Sequence, residues 1–122
     1  MKLLDSSLLK QNCYIAGQWV AAEDGATVPV CNPSTGDIIA YVPELGKKDT
    51  LLAIAAAEQA QKLWKKKTAK ERSVVLKNWH QLIIDNTDDL ASILTTEQGK
   101  PFLEAKGEIG YAASFIEWFA EE

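Results

Sequence analysis

The spacing of apolar residues changes once along the chain. Before about Glu44, short β-rich runs alternate with turn residues. Cys13-Tyr14-Ile15 and Gln18-Trp19-Val20 flank Ala16-Gly17, which predicts a hairpin with a two-residue loop. Ala is poorly suited to the positive φ of such a loop, so the turn type stays open. Thr27-Val28-Pro29-Val30-Cys31 predicts a further strand. Pro29 cannot donate to a ladder, which places that strand at an edge or a bulge. Asn32-Pro33-Ser34-Thr35-Gly36-Asp37 is a dense turn signal, and residues 38–42 return as a strand stopped by Pro43.

From Lys47 onward the period is helical. A first helix is expected over 48–65, with Leu51, Ala55, Leu63 and Trp64 facing inward. Thr68-Ala69-Lys70-Glu71 matches a capping box and opens a second helix ending near Asp85. Its inward row is expected at Val75, Trp79, Leu82 and Ile83, with Lys70, Lys77, Gln81 and Asp85 outward. Asn86 or Thr87 is expected to cap a third helix, with Asp88 and Asp89 in its first turn and Leu90, Ile93 and Leu94 inward. Gly99 ends it, and Pro101 suits the first position of a fourth.

The fourth helix reads to the last residue without a stop signal. No Gly or Asn follows, and Glu121 and Glu122 stand where the macrodipole favours positive charge. The chain is therefore expected to be the front part of a longer protein. Gly107, Gly110 and Ser114 recur at i, i+3 and i+7, a smooth strip suited to close approach of another backbone.

Composition narrows the function classes. The chain has 122 residues, 47% hydrophobic and 25% charged, which suits one globular segment. A net charge of -4 gives no electrostatic case for nucleic acid. Lys62, Lys65, Lys66, Lys67 and Lys70 form one basic cluster, read as the solvated end of a helix. No apolar run approaches a membrane span and the start has no signal-like core, so a cytoplasmic location is expected. Cys13 and Cys31 lack metal or redox spacing and read as buried or edge thiols. His80 has no partner constellation and reads as a packed histidine. Glu104 and Glu108 share a helix face, either as an acid/base or cation pair or as a solvated acidic face. There is no glycine-rich phosphate motif.

The residues alone thus give an α+β segment, a small antiparallel β part over 1–44 followed by about four helices over 47–122. Resemblance adds the function. Thr96-Glu97-Gln98-Gly99-Lys100-Pro101 and the helix from Glu104 to Glu122 resemble the N-terminal region of aldehyde dehydrogenases. The final helix is most similar to the bacterial succinate-semialdehyde dehydrogenases. Ile15-Ala16-Gly17-Gln18-Trp19, Asn32-Pro33-Ser34-Thr35-Gly36-Asp37 and Ala69-Lys70-Glu71-Arg72 carry the resemblance over nearly the whole chain.

The resemblance implies the outer part of a Rossmann-like cofactor-binding domain whose parallel sheet comes later. It implies an NAD- or NADP-dependent oxidation in which a cysteine thiolate attacks the aldehyde, hydride passes to nicotinamide, and a glutamate-activated water releases the acid. The catalytic and cofactor-binding residues of that chemistry lie beyond residue 122, so none is assigned here. Neither Cys13 nor Cys31 stands in the nucleophile's motif. The resemblance further implies a monovalent cation held by the Glu108 carboxylate and the Val30 carbonyl. The 122 residues alone are expected to be inactive, to bind no NAD(P), and to self-associate through the aromatic end of the last helix. The implied partners are the remainder of the parent chain and, for the parent, a small aldehyde. The alternative reading is a free-standing, non-catalytic helical interaction module.

Overall fold

The computed structural model describes residues 1–122. A one-turn 3₁₀ helix, Ser6–Leu8, is followed by strands β1 (Cys13–Ile15), β2 (Gln18–Val20), β3 (Thr27–Cys31) and β4 (Ile38–Pro43). Four helices follow, α1 (Lys47–Trp64), α2 (Ala69–Asp85), α3 (Thr87–Gln98) and α4 (Phe102–Glu121). The chain forms two compact units, Met1–Leu9 with Lys67–Glu122, and Lys10–Lys66. The expected small antiparallel strands and four helices are present. No helix is long and apolar enough to cross a membrane.

The unit of residues 10–66 holds two separate two-stranded antiparallel sheets. In the first, Ala16 and Gly17 both take positive φ, 53° and 81°, which settles the loop as the primed type that matches strand twist. Tyr14 lies opposite Trp19, with ring centroids 5.1 Å apart. In the second, Pro29 pairs with Tyr41 and the register shifts between Val30 and Cys31. Pro29 thus lies on an edge strand with the bulge close by, as its missing N–H requires. The Asn-Pro turn is closed by its own polar groups. Asn32 Oδ1 accepts from Ser34 N–H at 2.9 Å, Thr35 Oγ1 from Asp37 N–H at 3.2 Å, and Gly36 supplies a φ of 78°. Helix α1 begins where the Asp49 carboxylate accepts the Gly46 N–H at 3.1 Å.

The helical unit is organised by α4, which packs extensively against both α2 and α3. At the N-terminus of α2, Thr68 and Glu71 form the expected capping box. Gly99 ends α3 in the left-handed conformation at φ 79°. Pro101 stands one residue earlier in the geometry than expected, as the N-cap of α4 in an extended conformation.

Two expected inward rows are corrected. In α1, Leu51, Ala55 and Leu63 are exposed, and only Trp64 of the four is half-buried. In α2, Val75, Trp79 and Leu82 are exposed, and the covered side is Arg72, Ser73, Leu76, His80 and Ile83. The apolar stripe is real, but the chain's own helices pack on a different side of α2. The expectations for α3 hold in direction, with Leu90, Ile93 and Leu94 half-buried around a fully buried Ala91.

Three outcomes test this account. Ala16→Asn relieves a left-handed alanine and raises stability by about 1 kcal/mol, read as a shift in denaturation midpoint. The buried Asp89 carboxylate accepts the Leu4 N–H at 2.9 Å and the Asp5 N–H at 2.7 Å, tying residues 1–9 to α3. Asp89→Asn offers one acceptor where two are used and turns an N–H toward a donor. It costs about 1–3 kcal/mol and raises amide exchange at Leu4 and Asp5 while α2 to α4 stay protected. Hydrogen bonds from the Thr68 N–H and hydroxyl hold the Glu71 carboxyl below the usual carboxylate range. Its folded pKa is depressed, so its stabilisation is present above the unfolded pKa and lost as pH falls through the folded one. Acidification through that window frays the first turn of α2, seen as faster exchange at Arg72, and Glu71→Gln removes this pH step.

Candidate functional site

The residues with chemical potential collect on and around α4. Its register divides it into two faces, since residues three and four apart share a side. Ala105, Ala113 and Ala120 are buried and face α2 and α3. Leu103, Gly107, Tyr111, Ser114 and Trp118 lie on the opposite side, and all are exposed. A Cβ added at Gly107 or Gly110 would meet nothing within 4 Å. The smooth strip therefore has no backbone of this chain against it. Tyr111, Phe115, Trp118 and Phe119 border an open hollow of about 710 Å³, rimmed by Glu117 and Glu121. Tyr111 and Phe115 meet edge to face, with centroids 4.8 Å apart.

Side-chain ties fix α4 in place. His80 Nδ1 lies 3.0 Å from the Ala113 carbonyl, which makes that nitrogen the donor and links α2 to α4. Lys106 Nζ pairs with Asp88 Oδ1 of α3 at 2.6 Å, and Lys77 Nζ with Glu121 Oε1 at 2.7 Å. The Lys100 ammonium, three-quarters covered at its side chain, pairs with the Glu108 carboxylate. None of these links is visible in the spacing of the sequence. Asp88 and Asp89 read only as helix-start charges, and nothing marked Asp89 as the one buried carboxylate.

Glu108 and Val30 have different surroundings. Glu108 is exposed in α4 and already holds a cation, the Lys100 ammonium. Val30 is half-buried in β3 opposite Ala40, at the register shift, and belongs to the other unit. Glu104 is exposed, and no group of three or more His, Cys, Asp or Glu residues gathers anywhere to hold a metal. The side chains alone form no metal cage, and the Val30 ligand of the implied cation is a backbone carbonyl rather than a side chain.

A dinucleotide's pyrophosphate needs free N–H groups at a helix start, reached through a glycine turn. Here the start of α1 is occupied by the Asp49 carboxylate and that of α2 by Thr68 and Glu71, while the starts of α3 and α4 carry no side-chain cap. Of the positive-φ glycines Gly17, Gly25, Gly36 and Gly99, Gly99 alone stands near a helix start, that of α4, where its N–H closes the end of α3 on the Thr95 carbonyl, and no G-x-G-x-x-G turn joins a strand to a helix. These residues do not fit the cofactor. Cys13 and Cys31 are free thiols on β1 and β3, and the imidazole of His80 is committed to Ala113. No nucleophile with its base is assembled.

What the chain does have is close kinship along its whole length. It is 56% identical over 122 residues to a glutarate-semialdehyde dehydrogenase of Pseudomonas putida, covering all of this chain and 25% of that protein. It is 57% identical over 122 residues to a succinate semialdehyde dehydrogenase of Acinetobacter baylyi, again covering all of this chain and 25% of that one. The crystal structure of succinate-semialdehyde dehydrogenase from Burkholderia pseudomallei superposes with a TM-score of 0.96 at 55% identity, over 99% of this chain and 25% of that chain. The chain thus spans about a quarter of the length of the relatives it matches. The model of the aldehyde dehydrogenase family matches residues 19–122, and with that match, the shared fold and these identities, the chain belongs to the aldehyde dehydrogenase family.

Proposed function

We propose that these 122 residues are the N-terminal quarter of an NAD(P)-dependent semialdehyde dehydrogenase that oxidises succinate semialdehyde to succinate. The observation that carries this reading is the match over all 122 residues, through all four helices, to the first quarter of relatives named for succinate and glutarate semialdehydes. Both substrates carry an aldehyde at one end and a carboxylate at the other, and they differ by one methylene. A single methylene discriminates by about 10–200-fold at most, so glutarate semialdehyde is the near competitor.

In this reading the chain's own residues build rather than react. The alanine face of α4 sets its distance from α2 and α3, and His80 fixes its height through the Ala113 carbonyl. The outward face, with Gly107, Tyr111, Ser114 and Trp118, is the surface against which later sequence of the longer protein packs. The thiolate chemistry and the nicotinamide belong to that later sequence. The 122 residues by themselves neither oxidise aldehydes nor bind NAD(P), because they hold no nucleophile with its base and no glycine-rich phosphate turn.

Two measurements test the reading. A substrate panel on the longer protein that carries these residues should give the highest kcat/KM for succinate semialdehyde, with glutarate semialdehyde within about 200-fold. Preference for an uncharged aromatic aldehyde or for betaine aldehyde overturns the substrate assignment. Titration calorimetry of the 122-residue chain with NAD+ and NADP+ should show no saturable heat, and a saturable signal overturns the division of labour.

A further inference from the structure

One ion pair of this chain differs from the rest. The lysines of the other four keep 40–71% of their side chains in water. Lys100 keeps 22%, and its ammonium meets the Glu108 carboxylate, which is 48% exposed. A lysine whose stem is covered has one group left to satisfy, its ammonium. The stem is also held at its base. Lys100 stands between Gly99, left-handed at φ 79° with its N–H closed on the Thr95 carbonyl, and Pro101, at φ -55° with its carbonyl accepting the Ala105 N–H. The backbone on both sides is thus committed, and the ammonium reaches Glu108 eight residues on, along α4.

Glu108 needs a cation where Glu104 does not. Glu104 lies in the first turn of α4, where the macrodipole already favours negative charge. Glu108 lies beyond that turn, where the field has fallen away. Lys106, two residues before it, is committed to Asp88. Lys100 is therefore the cation of Glu108. This carboxylate is also the one that the resemblance assigns to a monovalent metal ion. Such an ion takes oxygen ligands, and a carboxylate supplies the negative charge that neutral carbonyl oxygens lack. Here an ammonium of the same charge as the ion already stands on it. A second cation on the same carboxylate is repelled by the first. Glu108 in this state does not fit the part of a metal ligand.

We propose that the Lys100 ammonium takes the place of a metal ion at Glu108, so that the fold holds this carboxylate with a cation of its own. A cation tethered by the chain is present at every salt composition. The turn between α3 and α4 and the first half of α4 therefore hold together without sodium or potassium. This stands apart from the proposed substrate, because it is read as stability and not as activity.

Thermal unfolding of the longer protein that carries these residues tests the exchange. Midpoints are compared at one scan rate in potassium chloride and in tetramethylammonium chloride of equal ionic strength, since the bulky organic cation cannot enter an oxygen cage. In the wild type, any difference between the two salts should be the same with and without Glu108→Gln. Lys100→Met keeps a covered stem and removes the charge. It should lower the midpoint in the tetramethylammonium salt by about 2 °C, and potassium should restore it by binding only the folded state. Lys100→Met combined with Glu108→Gln should lose that response, and Lys100→Arg should behave as wild type. A wild-type response to potassium that Glu108→Gln abolishes overturns the proposal, because a metal then shares the carboxylate with Lys100. So does a Lys100→Met variant that keeps the wild-type midpoint or that potassium does not stabilise. Should Lys100→Met not fold, the comparison of wild type with Glu108→Gln decides alone.

Discussion

The close seat of α4 on α2 and α3 governs the rest of the helical unit. Only alanines stand at the points of deepest contact, and Ala91, Ala105 and Ala113 have no exposed surface at all. Alanine lets helix backbones approach closely, so packing is tight but each contact covers little area. No large side chain anywhere in the chain is fully buried. Many of the large apolar residues stand on the other sides of the helices, as Val75, Trp79 and Leu82 on α2 and Tyr111 and Trp118 on α4. The geometry of the unit is set by small residues, while most of its capacity for hydrophobic stabilisation faces outward.

Polar ties make up part of the difference. His80 to the Ala113 carbonyl, Lys106 to Asp88 and Lys77 to Glu121 each join α4 to a neighbour at a different height. The two ion pairs are solvent-exposed and contribute little to stability, but they fix rotation and sliding, which an alanine interface leaves weakly specified. The His80 bond differs in kind, because it is half-buried and ends on a backbone carbonyl already in a helix. Asp89 works the same way on the N-terminal segment, satisfying two backbone donors that have no strand or helix of their own.

Element types and order were legible because turn chemistry and period both mark them. Pro29, the Asn32 turn, the Thr68 capping box and Gly99 each act through local sterics or local hydrogen bonds, which adjacent residues specify. The facing of the helices was legible only in part. In α2, periodicity identified the apolar side at Val75, Trp79 and Leu82, but the helices present pack on the His80 side. Periodicity reports which side prefers to leave water, and says nothing about which neighbour covers it. The links through His80 and Lys100 to α4, and through Asp89 to the N-terminal segment, span gaps that no local pattern encodes. Glu108 shows the same limit, since its Lys100 partner lies in the helix break between Gly99 and Pro101.

The Asp89 tie has a consequence for the order in which the chain takes shape. It joins positions 84 residues apart, so Leu4 and Asp5 acquire their partner only after α1, α2 and the start of α3 exist. Closing so long a loop is slow compared with forming the helices between. On the ribosome, residues 1–9 emerge before these helices and dock late, onto a surface that the following helices have already built.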